Sequence, residues 1–105
     1  MKRVVVTGLG VISPVGNTVN AVWNSLINGK CGIDFITRFD PSDFKVKIAA
    51  EVKNFDAQKY MKKSEIRKTD LFTQYACAAA SQAMDDSGIS GTVAPERLGV
   101  YIGSG

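Results

Sequence analysis

The chain has 105 residues and a formal charge of +3, with 45% apolar and 22% charged residues. This composition excludes an intrinsically disordered protein, and two cysteines are too few for a disulfide framework. No apolar run approaches the roughly 20 residues of a membrane span, and the N-terminal one stops at Gly8, too early for a signal peptide. We therefore expect a cytoplasmic protein. The absence of histidine excludes Ser-His-Asp and Cys-His catalysis within the chain, and nearly every zinc site.

Positive charge is concentrated in one segment of the chain. Residues 45–70 carry eight Lys or Arg and four Asp or Glu, a net charge of +4. The rest of the chain carries five Lys or Arg and six Asp or Glu, a net charge of −1. A local excess of this kind favours an acidic partner, although charged stretches also occur simply as solvated surfaces.

The first third of the chain predicts a strand, a turn-rich loop and a helix. Residues 3–8 are β-branched and apolar on both faces, which is typical of a buried strand in a parallel sheet. Glycines and Pro14 follow as a loop. Apolar residues at helical spacing from Val19 to Ile27 predict an amphipathic helix, with Asn17 or Thr18 as its cap and Gly29 at its end.

The middle of the chain is less regular. Residues 30–42 predict an irregular connection that closes with a turn at Asp40-Pro41-Ser42. Residues 47–53 predict a short strand, because Ile48, Ala50 and Val52 then fall on one side. Residues 55–63 are ambiguous and suit a helical turn.

The last third predicts the longest helix and a second apolar strand. The helix spans residues 64–87, with Ser64 as its N-cap and Gly88 as its stop, and its alanines allow very close packing. Residues 98–102 predict a strand that is apolar on both faces. Two such strands need neighbouring strands and covering helices, so we expect residues 1–105 to be an incomplete part of a larger fold.

The glycine-rich loop after the first strand also suggests a dinucleotide site. That motif needs a third glycine and a helix that begins at the phosphates. Here the third position is Ser13, and Pro14 after it disfavours helical geometry there. A tight structural turn is the favoured interpretation, and a fragment of a nicotinamide-dependent oxidoreductase stays as an alternative.

The two cysteines lack the context of a catalytic or metal-binding thiol. Cys77 lies deep inside a predicted helix among alanines, so we expect a buried apolar thiol rather than a nucleophile. Cys31 lies in a loop and is interpreted as an incidental free thiol. Their separation does not match metal-ligand spacing.

Basic residues cluster around the predicted start of the longest helix, where anionic side chains would suit the helix dipole better. This placement favours an anionic partner. A nucleic acid is possible, but the sequence has no helix-turn-helix or finger pattern. A small module that binds carrier protein or nucleic acid therefore stays open. The cluster consists of Lys59, Lys62, Lys63, Arg67 and Lys68.

Several stretches resemble one family, the elongating β-ketoacyl-acyl-carrier-protein synthases, and most closely its synthase II group. The similarity runs from end to end of the chain, and its first motif, the fourteen residues 4–17, is a highly specific combination. The stretches include residues 4–17 (VVVTGLGVISPVGN), Trp23 with Leu26 and Gly29, Arg67-Lys68-Thr69-Asp70, Asp86-Ser87-Gly88 and residues 97–105 (RLGVYIGSG).

The resemblance implies an α/β, thiolase-like fold of five layers (αβαβα), of which residues 1–105 form the N-terminal portion. It implies a homodimeric acyltransferase without a cofactor, which joins an acyl-enzyme thioester to malonyl-carrier protein and releases carbon dioxide. It also implies that Arg67 and Lys68 bind the acyl carrier protein, and the predicted binding site includes Lys62 and Lys63 because they lie close to them. The family's nucleophilic cysteine and two histidines fall beyond Gly105, so the chain alone is expected to be inactive.

Overall fold

The structure, a computed structural model, describes all of residues 1–105. They form two units, which are described separately. One unit consists of Met1–Gly10 with Ala57–Gly105, and the other consists of Val11–Asp56. No helix in either unit is both long and apolar enough to cross a membrane.

Helix α1, Val19–Ile27, lies in the second unit and confirms the predicted amphipathic helix. The second of the two predicted caps is the one used, because the Thr18 hydroxyl accepts the backbone N–H of Ala21 at 3.1 Å. The helix ends at Asn28 as C-cap, and Gly29 follows with a φ of +64°. This left-handed conformation explains why glycine follows the helix.

Two short strands form an antiparallel pair in the same unit. They are β1, Ile33–Phe35, and β2, Ile48–Ala50, with Ile33 opposite Ala50 and Phe35 opposite Ile48. Strand β2 confirms the predicted strand within residues 47–53. The expectation that residues 30–42 are irregular throughout is wrong, because residues 33–35 pair with β2. Three residues are too few to show the alternation that a sequence pattern needs.

The connection between these strands contains the predicted turn. The backbone N–H of Ser42 donates to Oδ1 of Asp40 at 3.0 Å, and that of Phe44 donates to the Pro41 carbonyl at 2.9 Å. The rings of Phe39 and Phe44 meet edge to face with centroids 5.6 Å apart. The Asp-Pro-Ser turn is confirmed, and its closure brings the two aromatic residues together.

A carboxylate beyond β2 organises the chain that follows β1. Oxygen atoms of Glu51 accept the backbone N–H and the hydroxyl of Thr37, both at 3.0 Å, and the N–H of Arg38 at 3.3 Å. The Arg38 guanidinium lies 3.8 Å from the same carboxylate. The backbone bond from Thr37, with the other bonds and the guanidinium charge, holds the pKa of Glu51 below its ordinary range, although partial desolvation opposes this.

This contact predicts a loss of local order in acid. The folded state lowers the pKa of Glu51. The stabilisation that its carboxylate gives to the folded state is therefore fully present above the unfolded pKa and is lost as pH falls through the folded pKa. We expect the Thr37 and Arg38 amide resonances to shift with a midpoint below about pH 4.3, the ordinary value for glutamate. The Glu51→Gln variant should abolish this titration, and Glu96→Gln should preserve it. A midpoint above that value would contradict the assignment.

The first unit is built on two consecutive helices. Helix α2 is Lys63–Ile66 and α3 is Leu71–Ser87, and short 3-10 helices occur at Ala57–Lys59 and Pro95–Arg97. The 3-10 helix at Ala57–Lys59 confirms the helical turn expected within residues 55–63. Helix α3 ends at Gly88, which has a φ of +62° and confirms the predicted stop.

The expectation of one helix over residues 64–87 with Ser64 as N-cap is wrong. Ser64 lies inside α2, and α3 starts afresh after Asp70, whose backbone is extended. The Thr69 hydroxyl donates to the carbonyls of Glu65 at 3.0 Å and Ile66 at 3.4 Å. These bonds satisfy carbonyls at the end of α2, and the extended backbone of Asp70, whose side chain makes no capping bond, separates the two helices.

The two predicted apolar strands are not strands in this structure. Residues 3–8 and 98–102 have no strand partner, and Val4 is 98% exposed and Tyr101 is 95% exposed. A strand is stable when a neighbour accepts and donates its backbone hydrogen bonds, and neither segment has that neighbour among the 105 residues. The prediction of buried strands at residues 3–8 and 98–102 is therefore wrong for this structure, although both segments have the apolar pattern of such strands.

Burial in the first unit is centred on α3. Ala78 is fully buried, and Gln74, one turn earlier on the same face, is 7% exposed. On the N-terminal segment, the backbone N–H of Leu9 donates to Oδ2 of Asp86 at 2.9 Å. A side chain at Gly8 or Gly10 would overlap the backbone of α3. The alanine-rich helix thus packs closely against glycine backbone.

Candidate functional site

Four exposed cations surround the short helix α2. They form what we call the basic surface, and they are Lys62, Lys63, Arg67 and Lys68. Lys62 is the N-cap of α2 and Arg67 is its C-cap, so the cations lie at both ends of a single helical turn. None of the four forms an ion pair. The salt bridge of the structure lies elsewhere, between Arg38 and Glu51. The structure therefore brings the predicted site residues together.

The carboxylates near the basic surface do not neutralise it. Residues 59–70 contain five Lys or Arg and two Asp or Glu. One of those two, Glu65, accepts the backbone N–H of Lys62 at 3.2 Å through Oε2. This bond stabilises the first turn of α2 and leaves a local excess of positive charge.

The C-terminal end of α2 is fixed by side chains of the following segment. The side-chain amide of Gln74 donates to the Ile66 carbonyl at 3.3 Å and to the Thr69 carbonyl at 3.1 Å. Together with the Thr69 hydroxyl, it satisfies carbonyls that a helix end leaves without partners. Arg67 and Lys68 lie between these bonded carbonyls, so their backbone is held at both sides.

The chain entering the basic surface is attached to α3 as well. The Tyr60 N–H donates to the Ala57 carbonyl at 3.0 Å, which closes the 3-10 turn. The Tyr60 hydroxyl accepts the side-chain amide of Gln82 at 3.0 Å. The segment that carries the cations is therefore fixed to α3 before and after α2.

Sequence reasoning missed the residues that make these attachments. Gln74, Ala78 and Gln82 are spaced by four, which places them on one face of α3. Two glutamines within an otherwise apolar face were a usable signal, because a buried amide requires hydrogen-bond partners. Tyr60 carried no comparable signal in the sequence.

Cys77 is exposed, and the expectation of a buried thiol is wrong. It lines a cavity of about 530 Å³ with Phe72, Ala76, Ala80 and Val100 among the other lining residues. The C-terminal segment, including Val100 and Ile102, lines the cavity opposite α3, and the cavity leaves Cys77 accessible. The chain provides no imidazole to activate the thiol, and the structure gives it no role in catalysis.

The remaining sulfur and acidic groups do not form a metal site. Cys31 is exposed and free, with its sulfur 3.9 Å from the Ile33 carbonyl oxygen. No cluster of three or more Cys, Asp or Glu side chains is placed to hold a metal ion.

The glycine-rich loop is a structural turn rather than a phosphate cradle. Ser13 and Gly16 exchange backbone hydrogen bonds of 2.9 and 3.2 Å, and α1 begins only at Val19. Gly10, earlier in the loop, lies against the backbone of α3. This geometry lacks the direct entry from a glycine turn into a helix that dinucleotide binding needs.

Comparison with known proteins decides the family. The family model of the beta-ketoacyl synthase N-terminal domain matches residues 1–105. The chain belongs to the beta-ketoacyl synthase family. This confirms the resemblance that the sequence motifs indicated.

Beta-ketoacyl synthases from several bacteria are similar to the chain over 99% of its length. The 3-oxoacyl-[acyl-carrier-protein] synthase 2 of Coxiella burnetii is 54% identical, and its counterpart from Vibrio harveyi is 51% identical. The synthase of that name from Staphylococcus aureus strain COL is 45% identical. The chain spans about a quarter (25%) of the length of these relatives.

A solved ketosynthase structure is similar to the chain in fold. The ishigamide ketosynthase/chain length factor superposes with a TM-score of 0.75 and 36% sequence identity, covering 84% of this chain and 22% of that one. The match confirms the predicted α/β, thiolase-like fold class, of which the chain has the N-terminal portion.

Proposed function

We propose that the chain is part of a condensing enzyme that elongates fatty acids. The reaction joins an acyl-enzyme thioester to a malonyl group on acyl carrier protein, with loss of carbon dioxide, and gives a 3-oxoacyl-carrier protein. Support comes from the family and from relatives of 45–54% identity, which are named as 3-oxoacyl-carrier-protein synthases. We place this reaction in the cytoplasm and in a homodimeric enzyme, as the resemblance implies.

The contribution that we assign to this chain is carrier-protein docking. The observation that carries the assignment is the basic surface, Lys62, Lys63, Arg67 and Lys68, exposed and without carboxylate partners on a segment fixed at both ends. Cations with no partner of their own are available to an acidic protein, and such surfaces steer association and set its orientation.

The bond-forming chemistry lies outside this chain in our proposal. The resemblance implies a nucleophilic cysteine assisted by two histidines, and the chain contains no histidine. Cys77 has no base beside it and lies within α3. Residues 1–105 then act as an incomplete part of the N-terminal domain, which supplies a docking surface to a catalytic centre built elsewhere.

Two protein forms test this proposal in one assay. One is the 105-residue chain, and the other is a chimera in which residues 1–105 replace the matching segment of the Coxiella burnetii relative. With acyl donor and malonyl-carrier protein, we expect 3-oxoacyl product from the chimera and none above background from the chain alone. Measurable turnover by the chain alone would refute the assignment of catalysis to other parts, and an inactive but folded chimera would refute the assignment of this segment to the enzyme.

A further inference from the structure

Two glutamines of α3 hold the segment that carries the basic surface. Gln74 bonds the chain after α2, and Gln82 bonds the chain before it, with the fully buried Ala78 midway between them. The three residues follow each other at intervals of four, so they form one stripe along α3. The stripe spans two helical turns and contacts the segment on both sides of α2.

Gln74 supplies donors at the end of α2, beside those of the Thr69 hydroxyl. The last carbonyls of a helix lack intrahelical partners, and a glycine in the left-handed conformation is the common solution. No glycine follows α2 before Gly88. The amide of Gln74, which is 7% exposed, instead donates to the carbonyls of Ile66 and Thr69 at 3.3 and 3.1 Å. A side chain without a donor would remove the side-chain partner of the Thr69 carbonyl, whereas the Ile66 carbonyl would keep its bonds from Thr69.

Gln82 has the corresponding role at the other end. Its amide donates to the Tyr60 hydroxyl at 3.0 Å, and Tyr60 belongs to the turn that ends just before Lys62. This bond joins two side chains 22 positions apart in the sequence. It therefore fixes the approach of the chain to α2 without constraining the exposed cations directly.

Helix α2 needs this external support. It has four residues, far fewer than the roughly 12–15 that make an isolated helix marginally stable in water. Exposed lysines and arginines lose side-chain conformational entropy on binding, which weakens the affinity. A backbone that is already ordered before binding avoids a further entropy cost and therefore increases the affinity. Hydrogen bonds from α3 provide that order before the partner arrives.

We propose that Gln74 and Gln82 are positioning residues of the docking surface, which hold the backbone of Lys62, Arg67 and Lys68 in the geometry that an acidic carrier protein recognises. The inference rests on the proposed function. It adds that two amides of α3, one buried and one partly buried, determine from behind the surface how well the cations bind the partner.

Steady-state kinetics of the chimera test this inference. Gln74→Met and Gln82→Met keep the side-chain length and the helix propensity but remove the donors. Tyr60→Phe removes the acceptor and keeps the ring. For each variant we expect KM for malonyl-carrier protein to rise about threefold to tenfold, as loss of a hydrogen bond predicts, with kcat within twofold of the parent. The matched control is Ser81→Ala, which is on α3 and removes a hydroxyl that makes no hydrogen bond.

The split between KM and kcat separates positioning from general stability. Unchanged KM in all three variants, or an equal loss of kcat, would overturn the inference. If Gln74→Met does not fold, Gln82→Met and Tyr60→Phe decide, because they act at the opposite end of the segment. The Arg67→Glu, Lys68→Glu double variant is measured in parallel. If it leaves KM unchanged, the proposed docking function itself fails. If it raises KM while the glutamine and tyrosine variants do not, only the positioning role fails.

Discussion

Reversing the charge of Arg67 and Lys68 is expected to raise KM for the carrier protein in the chimera by about tenfold or more, with little change in kcat. Both side chains are exposed and neither has a carboxylate partner in the chain. Replacing them with glutamate removes two attractions and introduces two repulsions toward an acidic partner. Like charges facing each other across an interface are strongly unfavourable, which makes reversal more informative than truncation.

Salt dependence gives this prediction a second measurement. Exposed charges interact over a Debye length of about 10 Å at 0.1 M salt, so affinity that depends on them falls as salt rises. We expect KM of the parent chimera to increase with ionic strength, and KM of the Arg67→Glu, Lys68→Glu variant to depend on it less or in the opposite sense. The same comparison in direct binding to labelled carrier protein separates docking from turnover.

The matched control changes net charge by the same amount elsewhere. Lys30→Glu with Lys45→Glu alters two exposed lysines outside the basic surface whose ammonium groups make no hydrogen bond. If docking depends on the four cations of the basic surface, this control leaves KM within about twofold, because it changes net charge equally and keeps all four. Equal effects of the two double variants would show a dependence on net charge alone and would contradict a localised docking surface.

Local signals predicted the elements that depend on nearby residues. Helix α1, the Asp-Pro-Ser turn and the stop at Gly88 each rest on side chains within a few positions, and the structure has all three. A cap, a turn and a left-handed glycine are determined by local backbone chemistry. Sequence patterns are reliable at this range.

Elements that depend on distant partners could not be predicted in the same way. Residues 3–8 and 98–102 have the composition of core strands, but pairing requires neighbours that these 105 residues do not provide. The break between α2 and α3 falls at Thr69 and Asp70, which have low helix propensity but still occur inside helices. Periodicity alone does not distinguish the two, and the predicted single helix was wrong.

The candidate site shows the same division. The cations were identified from the charge distribution, because charge is visible in the sequence whatever the fold. The hydrogen bonds of Gln74 and Gln82 span from 5 to 22 positions and depend on how α3 packs against the segment. Composition locates such a surface, whereas the residues that give it a defined geometry emerge only from the packing.

The second large effect is expected from Gly10→Ala. Gly10 lies against α3 so closely that a Cβ atom would overlap the carbonyl oxygen of Ala79 and would lie 2.8 Å from the backbone nitrogen of Ala83. Both neighbours are helix backbone, which does not move aside as a flexible side chain can. The added methyl must therefore separate the N-terminal segment from α3 and strain the bond from Leu9 to Asp86.

We expect Gly10→Ala to lower the free energy of unfolding by about 3 kcal/mol, the upper end of the usual cost of overpacking, and to lower the melting temperature of the chimera by several degrees. Gly103→Ala is the matched control, because a Cβ at that position meets nothing within 4 Å. Equal melting temperatures for the two variants would contradict the close packing of Gly10 on α3. Because Gly10 lies far from the basic surface in sequence, a lowered melting temperature with unchanged KM would also show that stability and docking are separable in this chain.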